Sequence, residues 1–183
     1  MKKLIFFLTF ISAISAVSAV QAQEIKWMSM NEALEAQKKE PRKIFVDAYT
    51  TWCGPCKLLD KNTFGNKDVA SYINKHYYAV KFNAEGNEVV KYNDKVFKNP
   101  NYQADKKGRN SVHEFALAMG VNAYPTMVFF DEKGKFLSPL KGYLTPKKLE
   151  IFLKVFASND YKNVTTEKDW KAYQENFENK FSG

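Results

Sequence analysis

Metal-binding residues are scarce in this chain. Its 183 residues include two cysteines and two histidines. Two thiolates supply half of a tetrahedral zinc site, and neither His76 nor His113 stands at metal-ligand spacing from the pair. Both histidines read as ordinary surface or helix-end residues, and no metal is expected. Blocks of like charge are missing too. The formal charge is +8, but the lysines are spread along the chain, as on a solvated surface rather than a nucleic-acid-binding face. There are no internal repeats and no low-complexity segments, which excludes a repeat array.

The apolar run LIFFLTFISAI at the start follows MKK and leads into SAVSAVQAQ. A basic start, an apolar middle and a small-residue end make a secretory signal peptide. Val20 and Ala22 stand at −3 and −1, which places cleavage after Ala22. The run is short and broken by Ser12, Ser15 and Ser18, against a membrane anchor, and no cysteine follows it to carry a lipid. Removing 22 of 183 residues leaves 161, residues 23–183, enough for a single domain with a sizeable core. Lys2 and Lys3 leave with the leader, so +8 becomes +6. Export to the periplasm means an oxidising compartment, where free thiols tend to pair.

Local signals divide the mature chain into alternating elements. Ser29 and Glu32 form a capping box for a helix over 29–41, which Pro41 ends. RKIFVDAYT (42–50) is a strand whose unbroken apolar run implies burial on both faces. From Pro55 to about His76 the pattern is helical, with a kink at Phe64-Gly65-Asn66, and YYAVKFNAE (77–85) is a second buried strand. Residues 86–110 break the periodicity, with six basic and three acidic side chains. They read as an insertion, partly helical around Val89–Phe97, too short for a core of its own. A helix over 111–120 would carry a Ser111/Glu114 capping box and stop at Gly120. TMVFF and KFLSPL, joined by DEKG, make a hairpin. Thr145 and Pro146 open a helix to about Ala157. In the extension 158–183, Thr166 caps an amphipathic helix with Trp170, Tyr173, Phe177 and Phe181 on one face, which packs onto the domain. The order α-β-α-β-(insertion)-α-β-β-α-α predicts an α/β fold, a central mixed sheet flanked by helices.

Both cysteines fall in TTWCGPCKLLD, residues 50–60. A strand ending at Trp52 runs through Cys53-Gly54-Pro55-Cys56 into a helix, which sets Cys53 at a helix N-terminus. Unpaired backbone N–H groups favour a thiolate there, so Cys53 is expected to be an exposed nucleophile with Cys56 one turn in, beneath it. Asp47 is either a buried acid paired with Lys81 of the neighbouring strand or a strand-end residue facing solvent. Pro125 opens a strand that otherwise reads as central, a position that needs special backbone geometry.

Together WCGPCK, VDAY upstream of it, VKFN, AYPT and KGYLTPKKL resemble the thioredoxin family over roughly residues 26–157. The resemblance implies the thioredoxin fold, here with an insertion before the third main helix and an extra C-terminal helix. It implies a redox-active Cys53–Cys56 disulfide with no other cofactor, Asp47 as a buried acid and Lys81 as its charged neighbour. It also implies a cis Tyr124–Pro125 bond, and Gly142 as the glycine that lets another loop approach the site. Trp52, Gly54, Pro55, Tyr124, Pro125 and Gly142 would form the substrate-binding rim. DAYTTWCGPCKLLDKNTFGNKDVASYIN is most similar to exported thioredoxin-like domains, including the C-terminal domain of the transmembrane thiol:disulfide interchange reductase. The cytochrome-maturation thioredoxins match less well. Tyr49 departs from the usual tryptophan of cytoplasmic thioredoxins.

The expected activity is protein-disulfide reduction, because Gly-Pro between the cysteines resembles the reducing members. The alternatives are an oxidase or isomerase, or a non-catalytic binding module with a fixed disulfide. A staple spanning so few residues stabilises little, against the last. The expected partners are disulfide-containing proteins and a membrane thiol donor that recharges the dithiol. A monomer is expected.

Overall fold

The computed structural model describes residues 24–183; the expected leader and its cleavage point lie outside the described residues. Five strands form one mixed sheet. At its centre β2 (Lys43–Tyr49) lies parallel to β3 (Tyr77–Asn83) and antiparallel to β6 (Thr126–Phe130). The edges are β1 (Trp27–Met28), parallel to β3, and β7 (Phe136–Lys141), antiparallel to β6. Strand β1 has two residues, too few to show an alternation in the sequence.

Side chains alternate across a strand, so each central strand feeds two cores. Ile44, Val46, Ala48, Val80, Phe82, Val128 and Phe130 face helix α1 (Met30–Lys39) and helix α4 (Glu114–Ala118). Phe45, Tyr77, Ala79, Met127 and Phe129 face the opposite layer. That layer holds α2 (Gly54–Leu59), α3 (Lys67–His76) and α5 (Pro146–Ala157). Asp47 and Lys81 share parity with Phe45 and Ala79, and they are register partners on adjacent strands. Helices cover both faces of the mixed sheet, the α/β architecture that the order of elements anticipated.

Local capping holds most elements where the sequence puts them. Ser29 and Glu32 close their capping box on α1, and Thr145 caps α5 with Pro146 in its first turn. The expected kink after α2 is a π-helical turn, Asp60–Phe64, followed by a full break, since Asn66 caps α3 anew. Gly120 ends α4 at φ 68°, where its N–H and that of Val121 bond Leu117 and Ala116 carbonyls.

The structure corrects four local expectations. The insertion is not helical around Val89–Phe97; it holds a hairpin, β4 (Val90–Tyr92) and β5 (Lys95–Phe97). Its two-residue turn puts Asn93 at φ 49° and Asp94 at φ 59°, the left-handed conformation of a tight hairpin, which these side chains tolerate. Ser111 and Glu114 do not form a capping box. Ser111 donates to Asn99 Oδ1 at 2.6 Å, and Glu114 accepts the Lys98 N–H at 2.8 Å. His113 caps α4 instead, through Nδ1, while its Nε2 bonds the Glu88 carbonyl; it is a helix-end residue but buried, not on the surface. Finally, α6 (Glu167–Glu175) ends before Phe177 and Phe181. Phe181 enters the core from the following tail, held because the buried Glu150 carboxylate accepts the N–H groups of Lys180 and Phe181. The capping box of Thr166 is present, and Trp170 stacks on Phe152, so α6 does pack onto the domain.

Candidate active site

Strand β2 leads through Thr50 and Trp52 to Cys53, which caps α2; Pro55 lies in the first turn. Cys53 and Cys56 form a disulfide, with Cα atoms 5.3 Å apart. The Cys53 sulfur accepts the Cys56 N–H at 3.1 Å, and the Cys53 N–H donates to the Thr50 carbonyl at 3.2 Å. As a cap, the side chain folds back over the helix end. This corrects the expected exposure of Cys53: in the disulfide form it is 2% exposed, as is Cys56. Exposed Gly54 and Pro55 lie between them.

On the sheet face covered by α2, Asp47 is buried and receives a hydrogen bond from Lys81 Nζ at 2.6 Å. It is thus the paired buried acid, not a solvent-facing strand end. Its other oxygen, Oδ1, has no hydrogen-bond partner among the described residues. Burial outweighs the attraction of Lys81, and the nearby Asp60 charge adds to it, so the Asp47 carboxyl is raised to about 6. For Lys81 burial works to lower the pKa, but the two carboxylates overcome it and hold the ammonium above its ordinary value.

Asp60 is the network member that the sequence reading missed. Its carboxylate pairs with Lys81, and its N–H bonds the Cys56 carbonyl. The signal was available, because Asp60 stands four residues after Cys56, on the same helix face. Three aromatic rings line Lys81: Trp27 at 5.1 Å, Tyr49 at 5.0 Å and Phe64 at 5.5 Å. The residue that departs from the family pattern, Tyr49, therefore touches the charge network.

A second group assembles around the Trp52 ring. Its indole N–H donates to Glu85 Oε2 at 2.8 Å, and Tyr124 meets the ring edge-on at a centroid distance of 5.8 Å. The Tyr124–Pro125 bond is cis. Gly142, at φ 93°, donates its N–H to the Pro125 carbonyl at 2.8 Å. A Cβ at Gly142 would meet nothing within 4 Å, so its backbone conformation, rather than crowding, calls for glycine. The fold thus joins Cys53 with Cys56, Asp47 with Lys81, Trp52 with Tyr124, and Pro125 with Gly142. Arg109 also lies against the Trp52 ring; neither it, inside the insertion, nor Glu85, just before the insertion, carried a local sequence signal. Among the described residues no cluster of three or more potential metal ligands occurs.

Fold and site define a thioredoxin-fold domain with a closed Cys-x-x-Cys disulfide at a helix start. A family model described as a thioredoxin-like domain matches residues 30–157, and the chain belongs to that family. It is 23% identical over 130 residues to the thiol:disulfide interchange protein DsbD of Pectobacterium atrosepticum. That match covers 70% of this chain and 18% of DsbD, so the chain spans under a fifth of that relative's length. A thioredoxin-fold protein from Helicobacter pylori superposes with a TM-score of 0.57 at 19% identity, covering 85% of this chain and 89% of that one. A Bacteroides thetaiotaomicron protein, named for a disulphide-isomerase assignment, is 31% identical with a TM-score of 0.51, covering 74% of this chain and 94% of that one.

Proposed function

We propose that this chain is an exported thiol–disulfide oxidoreductase that acts mainly as a protein-disulfide reductase. One observation carries the reading. The helix that starts at the disulfide is tied, through Asp60 and Lys81, to a buried acid whose pKa is raised to about 6. A staple needs no such acid, whereas a cycling dithiol needs a group that changes protonation near neutral pH.

In the reduced protein the Cys53 thiolate attacks a substrate disulfide. A Cys53–substrate disulfide forms, the substrate's own S–S bond breaks, and the leaving sulfur takes the electron pair and then a proton from solvent. Cys56 then gives its proton to Asp47 and attacks the Cys53 sulfur, which closes the internal disulfide and releases the second substrate thiolate. The substrate gains two electrons and the protein loses two. Lys81, positioned by Asp60, steadies the Asp47 charge. Trp52, Gly54, Pro55, Tyr124, Pro125 and Gly142 form the rim that receives the substrate chain.

The Gly-Pro pair between the cysteines favours reduction. The leader pattern favours export to the periplasm, where recharging needs electrons from a membrane thiol donor; the match to an interchange protein fits such a circuit. The dithiol is the whole redox equipment, and the working unit is a monomer. Among the described residues no helix is long and apolar enough to cross a membrane. The test is trapping with Cys56→Ala. Substrate proteins should accumulate as mixed disulfides on Cys53 and be freed by reductant. No accumulation, or equal accumulation on Cys53→Ser, would overturn the mechanism.

A further inference from the structure

The insertion ends against the redox site. Arg109 lays its guanidinium over the Trp52 ring, 4.4 Å from the centroid, and Trp52 directly precedes Cys53. The placement is built rather than incidental. Glu85, 7% exposed, uses a single oxygen to accept both the Trp52 indole N–H and the Asn110 N–H, each at 2.8 Å. The residue after Arg109 and the ring beneath it therefore hang from the same buried carboxylate. Further clamps fix this end of the insertion. The Asn110 side chain donates to the Gln103 carbonyl and accepts its N–H, and Asn99, also buried, donates to the Gly86 and Ser111 carbonyls. Gly108 turns the chain at φ 86° just before the arginine.

Arg109 itself is exposed and forms no ion pair among the described residues. Its five N–H donors remain free in a planar fork suited to carboxylate. Stacking on the indole limits where that fork sits.

We propose that Arg109 is a specificity residue that binds an acidic side chain flanking the substrate cysteine, so that the insertion selects acidic polypeptide segments. The inference rests on the dithiol reading above. An exposed ion pair of this kind is worth roughly a two- to fivefold preference, and it should fade as salt screens it.

The test uses the reduced full chain and two synthetic peptides, each with one cysteine in mixed disulfide with 2-nitro-5-thiobenzoate. One peptide has glutamates and the other lysines beside the cysteine. Cys53 attacks the peptide sulfur, and the coloured thiolate leaves with the electron pair. Wild type should favour the glutamate peptide in kcat/KM by roughly two- to fivefold at low salt. Arg109→Ala should abolish that preference, Arg109→Lys should restore part of it, and Arg109→Glu should reverse it. The Cys53 thiolate titration, read by ultraviolet absorbance, should stay put in all three. Equal reactivity of wild type with both peptides would overturn the assignment. So would equal losses on both peptides in Arg109→Ala together with a shifted thiolate titration, which would make Arg109 a modulator of the thiol. Failure of wild type to release the chromophore from either peptide would overturn the dithiol reading itself, and the inference with it.

Discussion

Asp47→Asn should gain stability relative to wild type as the pH rises from about 4 to neutral. The Asp47 carboxyl is raised from 3.8 to about 6 by burial, against the pull of Lys81. Below pH 4 it is protonated in both folded and unfolded states and has no effect on stability. Between pH 4 and 6 the unfolded chain releases the proton while the folded one keeps it. The folded state then binds more protons, and stability falls as pH rises. Above about pH 6 the loss is complete, and a shift of about two pKa units corresponds to about 3 kcal/mol. Asparagine keeps the shape without the ionisation. The stability of the variant relative to wild type should therefore climb by about 3 kcal/mol from pH 3.5 to pH 7.5, or about 6–12 °C in Tm at this size. Denaturant melts of both oxidised proteins at pH 3.5, 5 and 7.5 measure this, and other titrating groups cancel in the difference. A difference that is flat with pH, or that favours wild type as pH rises, would refute the burial argument.

Two further substitutions probe the surroundings. Asp60→Asn removes a negative charge that raises Asp47, so the Asp47 midpoint followed by carboxyl carbon NMR should drop below 6; a rise would contradict the network. Phe181→Ala should cost about 3 kcal/mol in denaturant melts, because Phe181 is 7% exposed and packs with Phe45, Tyr77 and Leu149 in one core. A loss under about 1 kcal/mol would mean that the C-terminal tail is not part of that core.

Legibility followed the range of each interaction. Caps are local, so Ser29/Glu32, Thr145/Pro146 and Thr166 located helix starts correctly. The apolar runs around Phe45 and Phe82 located the central strands. The Ser111/Glu114 spacing misled because both side chains found distant partners, Asn99 and the Lys98 N–H. In the insertion, Asn93-Asp94 between VKY and KVF was a hairpin signal, hidden by helix-compatible spacing on either side. At the site, Asp47 and Lys81 could be paired from adjacent strands. The burial of Cys53 could not, since it depends on its sulfur turning back to cap α2. Arg109 reaches Trp52 only through a 25-residue insertion anchored on Glu85, Asn99 and Asn110, which no local pattern encodes.

The most direct measurement is the equilibrium reduction potential of Cys53–Cys56 against glutathione, together with insulin reduction. A reductase should lie below the glutathione pool, near the thioredoxin range of about −270 mV, and should reduce insulin. A potential near about −120 mV with no insulin reduction would contradict the reductase account.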